Sequence, residues 1–242
     1  MTLGPLKTKL HEVLKETWLG GLLMHCILIP LWVGCPLPFA AAAAAIANGG
    51  TLALLAMILL TTLALLNNYS FAYRPWLMRF FHELDMTSYY DSCELRGALD
   101  TIRTEKTLFC FHPHGVLALG FVVNGCWSRA FHERASAGPS AVIARAERSD
   151  PLPGPWQGTV FLIAHSLRAW TAFFKVLCDV SGRLESATGA QMERLLSAGR
   201  NVAIIPGGFE DATLHKYGAE RTAMRSRKGI VKFALRHGYA LQ

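Results

Sequence analysis

Charge is what this chain lacks over a long stretch of its N-terminal third. From Thr17 to Tyr73 there is no Asp, Glu, Lys or Arg. A run of that length excludes an ordinary soluble surface and is far longer than the apolar core of a cleaved signal peptide. Over the whole sequence only 17% of residues are charged, against 52% hydrophobic. The six cysteines form no C-x-x-C pair. This argues against a zinc ribbon or a disulfide framework, favours buried free thiols and suggests a cytosol-facing domain. The nine histidines include no H-E-x-x-H pair, and no internal repeat is present. A net charge of +7 makes nucleic acid, an anionic membrane surface or a phosphorylated cofactor candidate partners. No nucleic-acid motif accompanies it, so a membrane surface or a phosphorylated small molecule is expected, and no nucleic acid.

The uncharged run predicts a hydrophobic hairpin over residues 17–73, after a cytosolic amphipathic segment at 1–16. Its two helices are expected at Trp18 to Val33 and Pro38 to Leu66, with Gly34, Pro36 and Pro38 in the turn. Trp18 and Trp32 suit interfacial positions. Lys7, Lys9 and Lys15 precede the run and Arg74 and Arg79 follow it. Two basic flanks both prefer the cytosol, which an even number of crossings satisfies. Pro30 interrupts the first segment, so a re-entrant hairpin that dips into one leaflet is the alternative to a transmembrane one.

From Glu94 the composition becomes globular. Apolar patterning predicts strands at 107–111, 140–145 and 201–205. It predicts helices at 116–134, 160–177, 191–198 and 230–236, the last stopped by Gly238. Alternation of this kind means an α/β domain, expected as a mixed sheet with surrounding helices over residues 74–242. His165 falls within the predicted 160–177 helix and reads as a core or interface histidine.

Two strand-to-turn junctions carry the polar chemistry. His112-Pro113-His114-Gly115 ends the first strand, and Pro206-Gly207-Gly208-Phe209-Glu210-Asp211 follows another. In α/β sheets ligands sit beyond the carboxyl ends of the strands. A histidine there can deprotonate a hydroxyl, a carboxylate can orient the imidazole, and glycines can let backbone N–H groups approach an oxyanion. The His-x-His pair is equally a metal-ligand spacing, but no further ligands stand at fixed spacing, so no metal is expected.

With Arg227-Lys228-Gly229-Ile230-Val231-Lys232-Phe233-Ala234 added, and Arg183-Leu184-Glu185-Ser186 before it, the chain resembles the type-2 diacylglycerol acyltransferase family, with its monoacylglycerol and wax-alcohol relatives. The resemblance runs from about Tyr90 to the end. It implies transfer of a fatty acyl group from acyl-CoA, a co-substrate, to diacylglycerol, with no fixed cofactor. Monoacylglycerol or fatty-alcohol acceptors, and a catalytically silent membrane or lipid-droplet protein, are the alternatives. It further implies an endoplasmic reticulum membrane location with a cytosolic catalytic domain. Lipid droplets and homo-oligomers are left open. The family continues beyond the position of Gln242, so the domain reads as incomplete at its C-terminus.

On the resemblance, His112 is expected as the base and His114 as a substrate-positioning group or oxyanion donor, with the reverse assignment open. The related His-x-x-x-x-Asp motif would need an acid where Leu117 stands. The orienting carboxylate is therefore expected from Glu210 or Asp211. Pro113, Gly115, Pro206, Gly207, Gly208, Arg227, Lys228, Gly229 and Lys232 are the expected substrate-binding positions. Two departures from the family are Tyr89-Tyr90-Asp91, where Tyr-Phe-Pro is usual, and Ile230 in place of Phe.

Overall fold

The computed structural model describes residues 37–77, 101–103, 105–115, 118–135, 158–170, 172–181, 184–219 and 221–242, with isolated positions at 22, 25–26, 90, 94 and 96–97. The chain enters through two helices, α1 (Leu37–Asn48) and α2 (Gly50–Asn68). The expected single helix from Pro38 to Leu66 breaks at Gly49 and Gly50, whose φ angles of 69° and 70° no ordinary helical residue adopts. The two pieces fold back on one another and bury the small residues Ala42 and Ala56. Among the described residues no helix is long and apolar enough to cross a membrane. The apolar stretch of α2, from Leu52 to Leu66, spans about 22 Å at 1.5 Å per residue. A hydrocarbon core is about 30 Å thick. The expected first helix, Trp18 to Val33, lies almost wholly outside the described residues.

The globular part is built on five strands: β1 (Thr107–Cys110), β2 (Val160–Ile163), β3 (Leu184–Ser186), β4 (Val202–Ile204) and β5 (Ala240–Leu241). Their order is β3-β2-β4-β1-β5, and every pairing is parallel rather than mixed as expected. Sequence alternation sets the two faces. In register, Leu108, Val202 and Val160 line one face, while Phe109, Ala203 and Phe161 line the other. Both faces are covered, as a parallel sheet requires.

On the first face lie α7 (Gly189–Ser197), through Met192, Leu195 and Leu196, and α9 (Lys228–His237), through Ala234. The Thr188 hydroxyl accepts from Gln191 N–H and starts α7. Gly238, left-handed at φ 69°, ends α9. The second face is aromatic. It is covered by α3 (Leu119–Phe121), which runs into a π-helical turn (Val122–Cys126), and by α4 (Arg129–Ala135). Here Gly125 is obligatory: a Cβ would sit 2.8 Å from the Phe161 ring and 2.9 Å from that of Phe111. The expected helix over 116–134 is therefore interrupted where the aromatic core needs a close backbone approach.

The expected helix over 160–177 is a strand, β2, followed by α5 (His165–Trp170) and α6 (Ala172–Ser181). A four-residue apolar strand buried on both faces cannot be told by periodicity from the start of a buried helix. The helical hairpin is docked on α6. Lys175 Nζ donates to the Tyr69 carbonyl (2.6 Å), Phe71 N–H donates to Asp179 (3.2 Å), and Arg74 N–H donates to the Val180 carbonyl (2.7 Å). Asp179 also pairs with Lys175 at 2.6 Å and Arg168 at 2.5 Å. The expected strand at 140–145 lies outside the described residues.

Candidate active site

β1 and β4 are neighbours, with Cys110 opposite Ile204. The segments leaving their carboxyl ends therefore emerge side by side, and Phe111 N–H still donates to the Ile204 carbonyl at 2.9 Å. This brings His112 next to the Pro206-Gly207-Gly208 turn. The His112–Pro113 bond is cis, and both residues are exposed.

Asp211 stands on the first turn of α8 (Phe209–Leu214) and is 1% exposed. One carboxylate oxygen accepts from Ala223 N–H at 2.6 Å, and the other from the Thr222 hydroxyl at 3.4 Å. The same hydroxyl oxygen lies 3.5 Å from His112 Nδ1. A hydroxyl has one proton to give. With that proton directed to Asp211, the Thr222 oxygen accepts from Nδ1–H and leaves the Nε2 lone pair of His112 open.

Glu210 takes a different direction. It is exposed and pairs with Arg227 Nη2 at 3.0 Å. Arg227, half-buried before α9, also donates to the Gly207 carbonyl at 3.4 Å and so clamps the turn from above. Of the two expected carboxylates, only Asp211 lies within one hydroxyl of a histidine.

His114 is half-buried, and its Nδ1 lies 2.7 Å from the Gly115 carbonyl. Gly115 has φ 61°. Pro206 and Gly207 are buried, and Gly208 has φ 57°. The glycines differ in what they do. Gly208 N–H donates to the Ile205 carbonyl (3.1 Å) within the turn rather than pointing at an open oxyanion position. Gly207 is without a Cβ because the Asp211 carboxylate fills that space. Lys228, Gly229 and Lys232 lie exposed along α9.

Thr222 is the site residue that the motifs do not reveal. It lies outside both junctions, and only its return to Asp211 places it. His165 is exposed rather than in the core: it follows β2 on the same sheet edge, with Nδ1 3.2 Å from Ser186 Oγ. Among the described residues no group of three His, Cys, Asp or Glu side chains is placed to hold a metal ion. Burial pushes the Cys110 thiol up from its ordinary pKa.

The chain is similar to diacylglycerol O-acyltransferase 2 of Rattus norvegicus and of Homo sapiens. Each is 28% identical over 156 residues, which covers 62% of this chain and 34% of the relative. The chain thus spans about a third of the length of these curated relatives. No family model matches the chain, and no solved structure matches it.

Proposed function

We propose that this chain is an acyl-CoA-dependent O-acyltransferase acting on a lipid hydroxyl, with diacylglycerol as acceptor. The observation that carries this reading is the His112–Thr222–Asp211 chain, which leaves Nε2 open to a substrate hydroxyl. The similarity to the two diacylglycerol O-acyltransferases supports it independently.

In the reaction, His112 Nε2 takes the acceptor hydroxyl proton as that oxygen attacks the thioester carbonyl. The C–O bond forms and the C–S bond breaks. The imidazolium returns its proton to the departing CoA sulfur. Asp211, acting through Thr222, favours the imidazolium while it exists. Arg227, Lys228 and Lys232 offer positive charge to the CoA phosphates. The α1–α2 hairpin serves as a monotopic anchor. It exposes Leu52, Leu54, Leu55, Met57, Ile58 and Leu59, while the Thr62 hydroxyl is satisfied within the helix by the Ile58 carbonyl at 2.9 Å.

The test is acyl transfer in microsomes from cells without their own triacylglycerol synthesis, using labelled acyl-CoA and diacylglycerol. Labelled triacylglycerol that disappears with His112→Ala is expected. Product undiminished in that variant overturns the assigned base, and no product with any lipid hydroxyl overturns the reaction.

A further inference from the structure

Between Asp211 and Thr222 the chain leaves the sheet edge and comes back. α8 carries it out to Leu214, Lys216 and Ala219 bridge antiparallel across Tyr217 and Gly218, and Gly218 turns at φ 73°. The return is fastened at its root, where Ala223 N–H donates to Asp211. This excursion therefore starts on Asp211 and ends on Thr222, whose hydroxyl lies between Asp211 and His112.

Its outer surface is unlike that of a soluble loop. Tyr217 at the tip is 98% exposed, Phe209 at the start of α8 is 79% exposed, and Leu214 is 41% exposed. Lys216, Arg221 and Arg225 are exposed beside them. From Ala212 to Lys228 the sequence sets Lys216, Arg221, Arg225, Arg227 and Lys228 against the single acid Glu220. An aromatic tip with basic flanks matches the boundary between headgroups and acyl chains, where tyrosine is enriched and anionic lipid attracts Lys and Arg.

We propose that the loop over residues 212–221 seats its tip in the headgroup region of an anionic bilayer, and so holds Asp211 and Thr222 against His112 at the membrane surface. The inference rests on the lipid-acceptor reading, because it places the base where such an acceptor resides. It adds a second membrane contact, separate from the α1–α2 hairpin and coupled directly to the histidine.

The test uses the full chain carrying Tyr217→Trp, a change that a side chain 98% exposed accommodates. Tryptophan fluorescence is compared with that of the parent on phosphatidylcholine vesicles containing brominated lipid, with and without phosphatidylserine. The difference between variant and parent reports position 217 alone. Quenching of the added tryptophan is expected on the anionic vesicles, with emission moved to shorter wavelength. Adding Lys216→Gln and Arg221→Gln is expected to reduce that quenching severalfold. No additional quenching overturns the inference, as does equal quenching on vesicles lacking phosphatidylserine. Quenching of the added tryptophan in a chain that transfers no acyl group would support the membrane contact and remove the catalytic reading. Transfer without quenching would overturn the contact alone.

Discussion

The Asp211 carboxylate occupies the space that a side chain at Gly207 would need. A Cβ built on Gly207 would overlap the Asp211 carboxyl carbon and both of its oxygens. Gly207 is thus an architectural condition for the buried acid. Gly207→Ala must drive the carboxylate off the Ala223 N–H and away from Thr222. Activity is expected to fall about 100-fold, the low end of what a positioned acid–base group contributes. Overpacking is expected to remove about 1–3 kcal/mol of stability. Steady-state acyl transfer and urea unfolding of the purified variant check the two effects separately.

The link from Asp211 to His112 runs through a single hydroxyl, so its chemistry can be removed without changing its shape. Thr222→Val keeps the branched side chain and deletes the donor and acceptor. It is expected to lower kcat about tenfold or more, with little change in KM. Thr222→Ser is expected to restore most of the loss. His112→Ala is expected to cost more, within the range of about 10²- to 10⁴-fold for a general base. A Thr222→Val enzyme with unchanged kcat would separate Asp211 from the reaction.

Much of this site is legible in the sequence. His112 and the Pro206-Gly207-Gly208 turn follow apolar strands, and α/β logic sends strand ends to one edge. Choosing between Glu210 and Asp211 was beyond the sequence, because neighbours on a first helical turn point in different directions. One met Arg227 and the other was buried. Thr222 carries no local signal, since its place depends on how the loop after α8 returns. The parallel sheet hid three strands. β2 is buried on both faces, so Val160 to Ile163 merges with the apolar helices that follow. β3 and β5, three and two residues long, are too short to show an alternation of their own. The break at Gly49 and Gly50 has a different origin: two adjacent glycines inside an otherwise uninterrupted apolar run let the backbone turn without any change in hydropathy.

Asp179 ties the helical hairpin to the globular part. Its side chain is 7% exposed and balances Lys175 and Arg168, while it accepts Phe71 N–H from the connector. Asp179→Asn leaves Lys175, 11% exposed, without a counter-charge. Breaking a buried pair from one side costs about 3–5 kcal/mol. A lowered denaturation midpoint at unchanged slope is expected in detergent, with increased hydrogen exchange over residues 69–74. Replacing the more exposed Arg168 by Gln is expected to cost less, and an Asp179→Asn midpoint equal to the parent's would show that the hairpin is held by packing alone.

Cys178 is 1% exposed, and burial lifts its thiol well above the ordinary value of 9.0. Burial raises Cys110 as well. For such a group the unfolded chain gives up its proton first, so the native state holds more protons once the pH passes the ordinary thiol value. Stability then falls as the pH rises. The contribution of Cys178 is flat below pH 8, declines from about pH 9 upward, and is not recovered within the stable range of the fold because the native thiol stays protonated. Tyr239, raised by burial from 10.0, adds a decline of the same sign at higher pH. Urea midpoints measured from pH 7 to 10.5 are expected to drop more steeply in the parent than in Cys178→Ala, once each curve is referred to its own value at pH 7. At pH 8, iodoacetamide is expected to leave Cys178 unmodified in the native chain and to modify it after unfolding. Rapid native alkylation of Cys178 would mean that α6, which carries it, comes away from the aromatic face far more readily than its packing there allows.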